Sequence, residues 1–249
     1  MFNPVLRKGG SILNHIMPRK TYHSEVAKAV ESFWQIKIKQ KSDSGDTTNR
    51  GAVTGGKQMD AFAELFRSVA ISCGVPDQCI FTHNNYIPGY FRSSKDWDFL
   101  IVSPHNKLIA VMEFKSQIGS YGNNFNNRTE EALGSAVDLW TAFREKQFPN
   151  QQAPWVGYMM LLGKDKASTS PVKNNESHFE VRPEFKQASY LDRYTILGRK
   201  LITERHYSAV SLLWTSDAHH FGDAADDLSI ERYINSFVAY LNGCKDDFE

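Results

Sequence analysis

Asp98, Glu113 and Lys115 fall within one stretch, Lys95 to Gln117, which reads KDWDFLIVSPHNKLIAVMEFKSQ. Two apolar runs, Trp97 to Val102 and Leu108 to Phe114, flank a Pro-His-Asn-Lys turn, the pattern of a hairpin. A turn centred between His105 and Asn106 sets Asp98 directly opposite Glu113. Opposed residues share a face of the sheet, with Cβ atoms roughly 4.5–5.5 Å apart. Lys115 lies two residues beyond Glu113 and joins the same face. Two carboxylates held so close repel each other unless a cation sits between them. Mg²⁺ suits such a place, because it takes oxygen ligands and is commonly held by one or two carboxylates together with phosphate oxygens. A neighbouring lysine can orient or deprotonate the attacking water and neutralise a phosphate oxygen. This set of groups fits metal-assisted phosphodiester hydrolysis. Register decides this placement, since a slip of one residue would carry Asp98 to the other face.

Glu-x-Lys by itself is a weak signal that recurs on solvated strand faces. Here the expected register puts Leu100, Val102, Ile109 and Val111 on the face of Glu113, and Trp97, Phe99, Ile101, Met112 and Phe114 on the opposite face. Both faces are apolar, so the strands belong to a central sheet covered on both sides. Charges placed on such strands are rarely inert.

The surrounding elements follow from periodicity. Residues 22–39 carry Tyr22, Val26, Ala29, Val30 and Phe33 at helical spacing, and a second helix is predicted over 57–72 with Met59, Phe62, Ala63, Phe66 and Val69 inward. Between them, the Gly-, Ser- and Thr-rich segment 42–56 reads as a loop. After Lys115 a Gly- and Asn-rich loop, Ser116–Arg128, leaves the catalytic strand. Asn127 with Glu130 resembles a capping box, starting a helix to about Lys146 with Leu133, Ala136, Val137, Trp140 and Phe143 inward. WVGYMMLL (155–162) reads as a buried strand, the polar stretch 163–187 as a long functional or mobile loop, 187–205 as a helix, Ala209–Trp214 as a strand and 226–242 as a last helix. The expected fold is a single α/β domain over 1–249 with a central mixed β-sheet flanked by helices on both faces. Its parts are a helical N-terminal portion to about 75, a core of about 90–215 and the C-terminal helix.

Composition narrows the setting. The apolar share of 41% and charged share of 23% over 249 residues are those of a soluble globular protein. No run approaches the roughly 20 apolar residues that span a bilayer, and the opening MFNPVLRKGG lacks the apolar core of a secretory signal. Cys73, Cys79 and Cys244 form neither a paired disulfide set nor a Cys-x-x-Cys motif, so a reduced, cytoplasmic location is expected. A net charge of +1 argues against coating nucleic acid through bulk positive charge, but it leaves room for an enzyme whose basic residues line one cleft.

Several longer segments carry a resemblance: NRGAVTGGKQMD (49–60), WDFLIV (97–102), EFKSQIGSYGNNFNNRTEEALGSAVDLWTAFRE (113–145), PWVGYMMLL (154–162) and PEFKQASYLDRYTILGRKL (183–201). Together they resemble the XhoI family of type II restriction endonucleases, within the nucleases that share a PD-(D/E)xK core. The resemblance covers most of the chain. It implies a restriction-endonuclease-like fold and Mg²⁺-dependent cleavage of both strands of double-stranded DNA at a short palindrome, CTCGAG, leaving 5′ overhangs. It also implies a cognate DNA methyltransferase in the same system, though not in a stable complex. Asp98 matches the core aspartate, and Glu113 and Lys115 match the Glu-x-Lys pair. Asp98, Glu113 and the Phe114 carbonyl would hold the metal, with Asp98, Glu113 and Lys115 catalytic. Trp97 stands where the family signature has proline. Asp60 or Glu64 is a candidate for a further acid. A palindromic target calls for a homodimer.

Gln117, Asn123, Asn124, Asn126 and Arg128 of the 116–128 loop are candidates for DNA contact. Asn and Gln suit adenine edges and Arg suits guanine, although Asn and Gly also serve simply as turn residues. Arg50 and Lys57 flank the Gly-rich 51–56 loop, whose amides can cradle a phosphate or merely form a linker. Arg193, Arg199, Lys200 and Arg205 read better as a solvated face. His219 and His220 read better as loop residues than as metal ligands. Two other classes share these features: a repair or junction-resolving nuclease with shape-based recognition, and a non-catalytic DNA-binding module.

Overall fold

The computed structural model describes residues 22–43 and 57–249, so Arg50 and most of the 42–56 loop lie outside the described residues. Six strands form one sheet in the order β1 (Ile80–Phe81), β4 (Phe99–Val102), β5 (Leu108–Gln117), β6 (Trp155–Gly163), β7 (Ala209–Thr215) and β8 (Phe221–Asp223). The β5–β6 and β6–β7 pairs are parallel and the others antiparallel. Two further short strands, β2 (Tyr86–Ile87) and β3 (Lys95–Asp96), make a separate two-stranded ribbon. The fold is therefore α/β with a mixed sheet, as the sequence pattern predicts.

Helices cover both faces. On one side α1 (His23–Asp43), α2 (Asp60–Ser72) and α6 (Ile230–Gly243) pack on Phe99, Met112, Phe114 and Met159. On the other, α3 (Tyr121–Arg144) and α5 (Tyr190–Thr203) pack on Leu100, Val111, Tyr158 and Met160. The short α4 (Lys166–Thr169) lies in the 163–187 connection. Every residue of β6 is buried, as its unbroken apolar run requires of a central parallel strand. Gly157 in that strand is needed for close approach, because a Cβ there would fall 2.1 Å from the Tyr233 hydroxyl of α6. Among the described residues no helix is long and apolar enough to cross a membrane.

Three expectations change. The 116–128 segment is not a loop. β5 continues to Gln117 and α3 begins at Tyr121, so Asn127 lies inside a helix whose N-cap is Ser120 in the left-handed region (φ 50°). Tertiary contacts overrule the weak helix propensity of its asparagines: Tyr121 is buried, and Phe125 packs against Tyr190 and Tyr194. Further along, α3 is turned relative to the predicted phase. It buries Ala132, Ser135, Ala136, Asp138, Leu139 and Ala142, and leaves Leu133 and Val137 exposed. Small residues let the helix lie close on the sheet, and Asp138 faces inward to hold a loop. The 163–187 stretch is tied down by a capping box at Asp165 and by Arg193, which reaches Val172 and Asn174.

The hairpin departs from strict alternation as well. Phe99 pairs with Met112, Leu100 with Val111 and Ile101 with Ala110, in the register expected from a turn at His105. A bulge at Ile101/Val102 then shifts the pairing by one, which moves Ile109 to the face of Met112 and Phe114. At the other end the ladder stops at Phe99, with Asp98 in a bend and Trp97 swung to the face of Leu100 and Val111.

Candidate active site

Asp98 stands at the point where the chain leaves the ladder. Its amide donates to the Met112 carbonyl at 3.2 Å, and its Oδ2 accepts from the Phe114 amide at 2.6 Å. Asp98 is thereby fixed against the backbone on both sides of Glu113, by its amide at Met112 and its carboxyl at Phe114. The two acids border neighbouring clefts that share Lys115 and Arg128 in their walls. Asp98 lines two neighbouring clefts with Phe114 and Met59, whereas Glu113 lines a third with Lys95, Arg92 and Arg128. Lys115 borders both the first and the third. The charge of Asp98 is felt by Tyr233 in the α6 layer, and that of Glu113 by Tyr158 and Tyr207 in the other, in each case after burial as the main influence. The expected shared face thus joins Glu113 to Lys115, and Asp98 meets them from the strand end.

The electrostatics couple all three groups. Glu113 is 4% exposed. Its Oε1 pairs with Lys115, and its Oε2 lies 2.6 Å from Lys95 Nζ. Burial opposes its ionisation, but Lys115 and then Lys95 outweigh burial and hold the carboxyl below the usual range. Asp98 responds in the opposite sense. Burial first, and the Glu113 charge second, push it up to about 6, against Lys115, the Phe114 amide and Lys95. Burial disfavours the Lys115 ammonium, yet the Glu113 and Asp98 carboxylates more than compensate and raise it.

These groups fit a hard divalent cation. The donors are carboxylate oxygens, the chemistry that Mg²⁺ prefers. Asp98 is pushed up by burial first and by the Glu113 charge second, and Glu113 Oε2 is buried without a well-angled hydrogen bond. The acid set is small: among the described residues no three His, Cys, Asp or Glu side chains gather as a metal cluster. Asp60 lines a cleft with Asp98 and Lys57, while Glu64 is exposed and borders none of these clefts.

The remaining candidates divide. Gln117, Asn124 and Arg128 share a cleft with Asp98, Phe114 and Lys115, and Lys37 and Gln58 complete it from the other side. Gln117 donates to the Gly119 carbonyl at 2.6 Å and Asn124 to the Ser120 carbonyl at 2.9 Å, so both are held at the start of α3. Asn123 and Asn126 are exposed on α3 and border none of these clefts. Arg199 pairs with Asp227 at 2.7 Å and Lys200 with Glu184 at 2.7 Å, and His220 pairs with Asp217. Lys95 is the residue that motif reasoning missed. Its only sequence signal is that it lies three positions before Asp98; reaching Glu113 requires the separate β2–β3 ribbon, which two-residue strands do not announce.

Comparison with known proteins gives the family of the chain. The family model described as restriction endonuclease XhoI matches residues 38–225. A type II restriction enzyme BstVI of Geobacillus stearothermophilus is 45% identical over 214 residues, covering 82% of this chain and 96% of that protein. A type II restriction enzyme XhoI of Xanthomonas vasicola is 43% identical over 180 residues, covering 70% and 72%. A type II restriction enzyme AbrI of Azospirillum brasilense is 38% identical over 165 residues, covering 64% and 74%. No solved structure matches. The chain belongs to the XhoI family of type II restriction endonucleases.

Proposed function

We propose that the protein is a Mg²⁺-dependent type II site-specific deoxyribonuclease that cuts both strands of duplex DNA at CTCGAG and leaves 5′ overhangs. The observation that carries the reading is Asp98 locked onto the Phe114 amide at 2.6 Å, beside the paired Glu113 and Lys115. Asp98, Glu113 and the Phe114 carbonyl would hold the metal, with Asp98, Glu113 and Lys115 as the catalytic residues. When bound, Mg²⁺ supplies charge stabilisation to the phosphate as negative charge builds on it. Lys115 orients the attacking water on the cleft side of β5. Water oxygen bonds to phosphorus and gives up a proton to solvent, the bond from phosphorus to the 3′ oxygen breaks and that oxygen takes a proton from solvent, so that a 5′ phosphate and a 3′ hydroxyl result. Arg128, Asn124, Gln117 and Lys57 line the clefts around Asp98 and are the proposed DNA contacts of this chain.

The test is a digest of two duplexes that differ only in one CTCGAG site, with Mg²⁺ and with excess EDTA, followed by sequencing of the ends. Cleavage confined to the site and to Mg²⁺ is the expected result. Cutting of both duplexes alike would point instead to shape-based recognition.

A palindromic target matches a two-fold symmetric protein, and we propose a homodimer. A cognate methyltransferase protects the host site without remaining bound. Sedimentation of the protein alone and on its site is expected to give the mass of two chains. A single-chain mass in both states would refute the dimer. A reduced, cytoplasmic location accords with the three cysteines, which form no disulfide among the described residues.

A further inference from the structure

Glu113 has two ammonium partners, although the Glu-x-Lys motif supplies one. Lys115 takes Oε1, while Lys95 reaches Oε2 at 2.6 Å from outside the catalytic hairpin. Lys95 belongs to β3 of the small ribbon. Its side chain is 12% exposed, its ammonium lies 4.5 Å from the centre of the Trp97 ring, and it donates to the Asp96 carbonyl at 3.1 Å. It is therefore held at Glu113 by packing and a cation–π contact rather than by chance encounter. Since Oε2 makes no well-angled hydrogen bond, the attraction to Lys95 is chiefly Coulombic.

We propose that Lys95 is the resident counter-cation of Glu113, occupying Oε2 in the metal-free protein and withdrawing when a divalent cation takes that oxygen. The inference rests on Glu113 being a metal ligand. Lys95 competes with the cation in two ways: it covers a ligand oxygen, and its own charge repels a second positive charge a few ångströms away. Partners behind a metal ligand usually strengthen binding by orienting it. That benefit is largely redundant here, because Lys115 grips the other oxygen of a side chain already buried. Lys95 is thus a positioning residue that keeps the acidic centre assembled without metal, at a cost in metal affinity.

Calorimetric titration of Mg²⁺ into the full chain without DNA tests this. Lys95→Met removes the charge while keeping an apolar stem over Trp97, and Lys95→Arg keeps a cation. Lys95→Met is expected to bind Mg²⁺ about ten-fold tighter than the native protein, and Lys95→Arg to stay within about three-fold of it. Adding Glu113→Gln to Lys95→Met is expected to abolish the gain. Lys95→Gln replaces the Met variant if melting shows that it is not folded. Equal or weaker Mg²⁺ binding by the neutral variant, with Glu113→Gln still eliminating binding, overturns the role of Lys95 and leaves the metal assignment standing. Mg²⁺ binding indifferent to Glu113→Gln in both backgrounds overturns both.

Discussion

If the proposed site is right, Asp98→Asn and Glu113→Gln are each expected to lower DNA cleavage by more than about 100-fold, because loss of a partner behind a metal ligand already costs about 10–100-fold and loss of a ligand itself costs more. The two variants fail for different reasons. Asp98→Asn keeps an oxygen to accept the Phe114 amide, so the bend survives while the charge is lost. It also removes a poorly hydrated and repelled charge, since burial first and the Glu113 charge second push the Asp98 carboxyl up to about 6. Asp98→Asn should therefore fold at least as firmly as the native protein and still fail to cut. Glu113→Gln leaves Lys95 and Lys115 without their buried counter-charge, a change expected to cost about 3–5 kcal/mol when a buried pair is broken. Melting curves with EDTA separate the two effects. DNA binding measured with EDTA should survive in Asp98→Asn, because phosphate contacts come from basic side chains rather than from the acids. Cleavage by folded Asp98→Asn within about ten-fold of the native rate would remove Asp98 from the catalytic set.

The hairpin register was legible in the sequence, whereas its ends were not. Alternation over Phe99–Ile101 and Ala110–Met112 sets the register, because a one-residue slip would expose an entire apolar face. That same logic fails at both ends of the ladder. The bulge at Ile101/Val102 and the bend at Asp98 are decided by what packs beside them, so Ile109 and Trp97 lie on faces that strict alternation does not give. Helix α3 shows the limit on the helical side. Its Gly- and Asn-rich start has little helix propensity, and only the aromatic contacts of Tyr121 and Phe125 across to α5 explain why it coils there. Leu133 and Val137 look like core residues by hydrophobicity, but the inward position between them and Leu139 is claimed by Asp138. A buried carboxylate at that place becomes intelligible only when the loop it binds, some 46 residues earlier, is known.

Asp138→Ala is expected to lower stability by about 2–4 kcal/mol, since it strands two amides and a guanidinium that a buried carboxylate now satisfies. Asp138 is 4% exposed on α3. Its Oδ1 accepts from the Tyr90 amide at 2.9 Å and the Phe91 amide at 2.7 Å, and its Oδ2 from Arg92 Nε at 2.7 Å. The lower half of the range is favoured because the Arg92 side chain is 42% exposed and partly screened by water. Gly89 is part of the same joint, for a Cβ there would fall 2.2 Å from Asp138 Oδ2. A loss of this size in a chain of this length lowers the melting temperature by roughly 5–10 °C. The effect has a definite pH dependence. Burial would raise the Asp138 carboxyl, but Arg92 and the two amides outweigh burial and hold it below its ordinary value of 3.8. A depressed folded value means that the contribution is complete above the unfolded value, near pH 4, and fades as pH falls through the lower folded value. The gap between native protein and Asp138→Ala is therefore expected to be constant at neutral pH and to narrow below about pH 4. This joint fixes the loop that leads into β3, and β3 delivers Lys95 to Glu113, so the same substitution should also loosen that ion pair. A melting temperature within about 1 °C of the native value at pH 7 would show that the loop does not depend on Asp138.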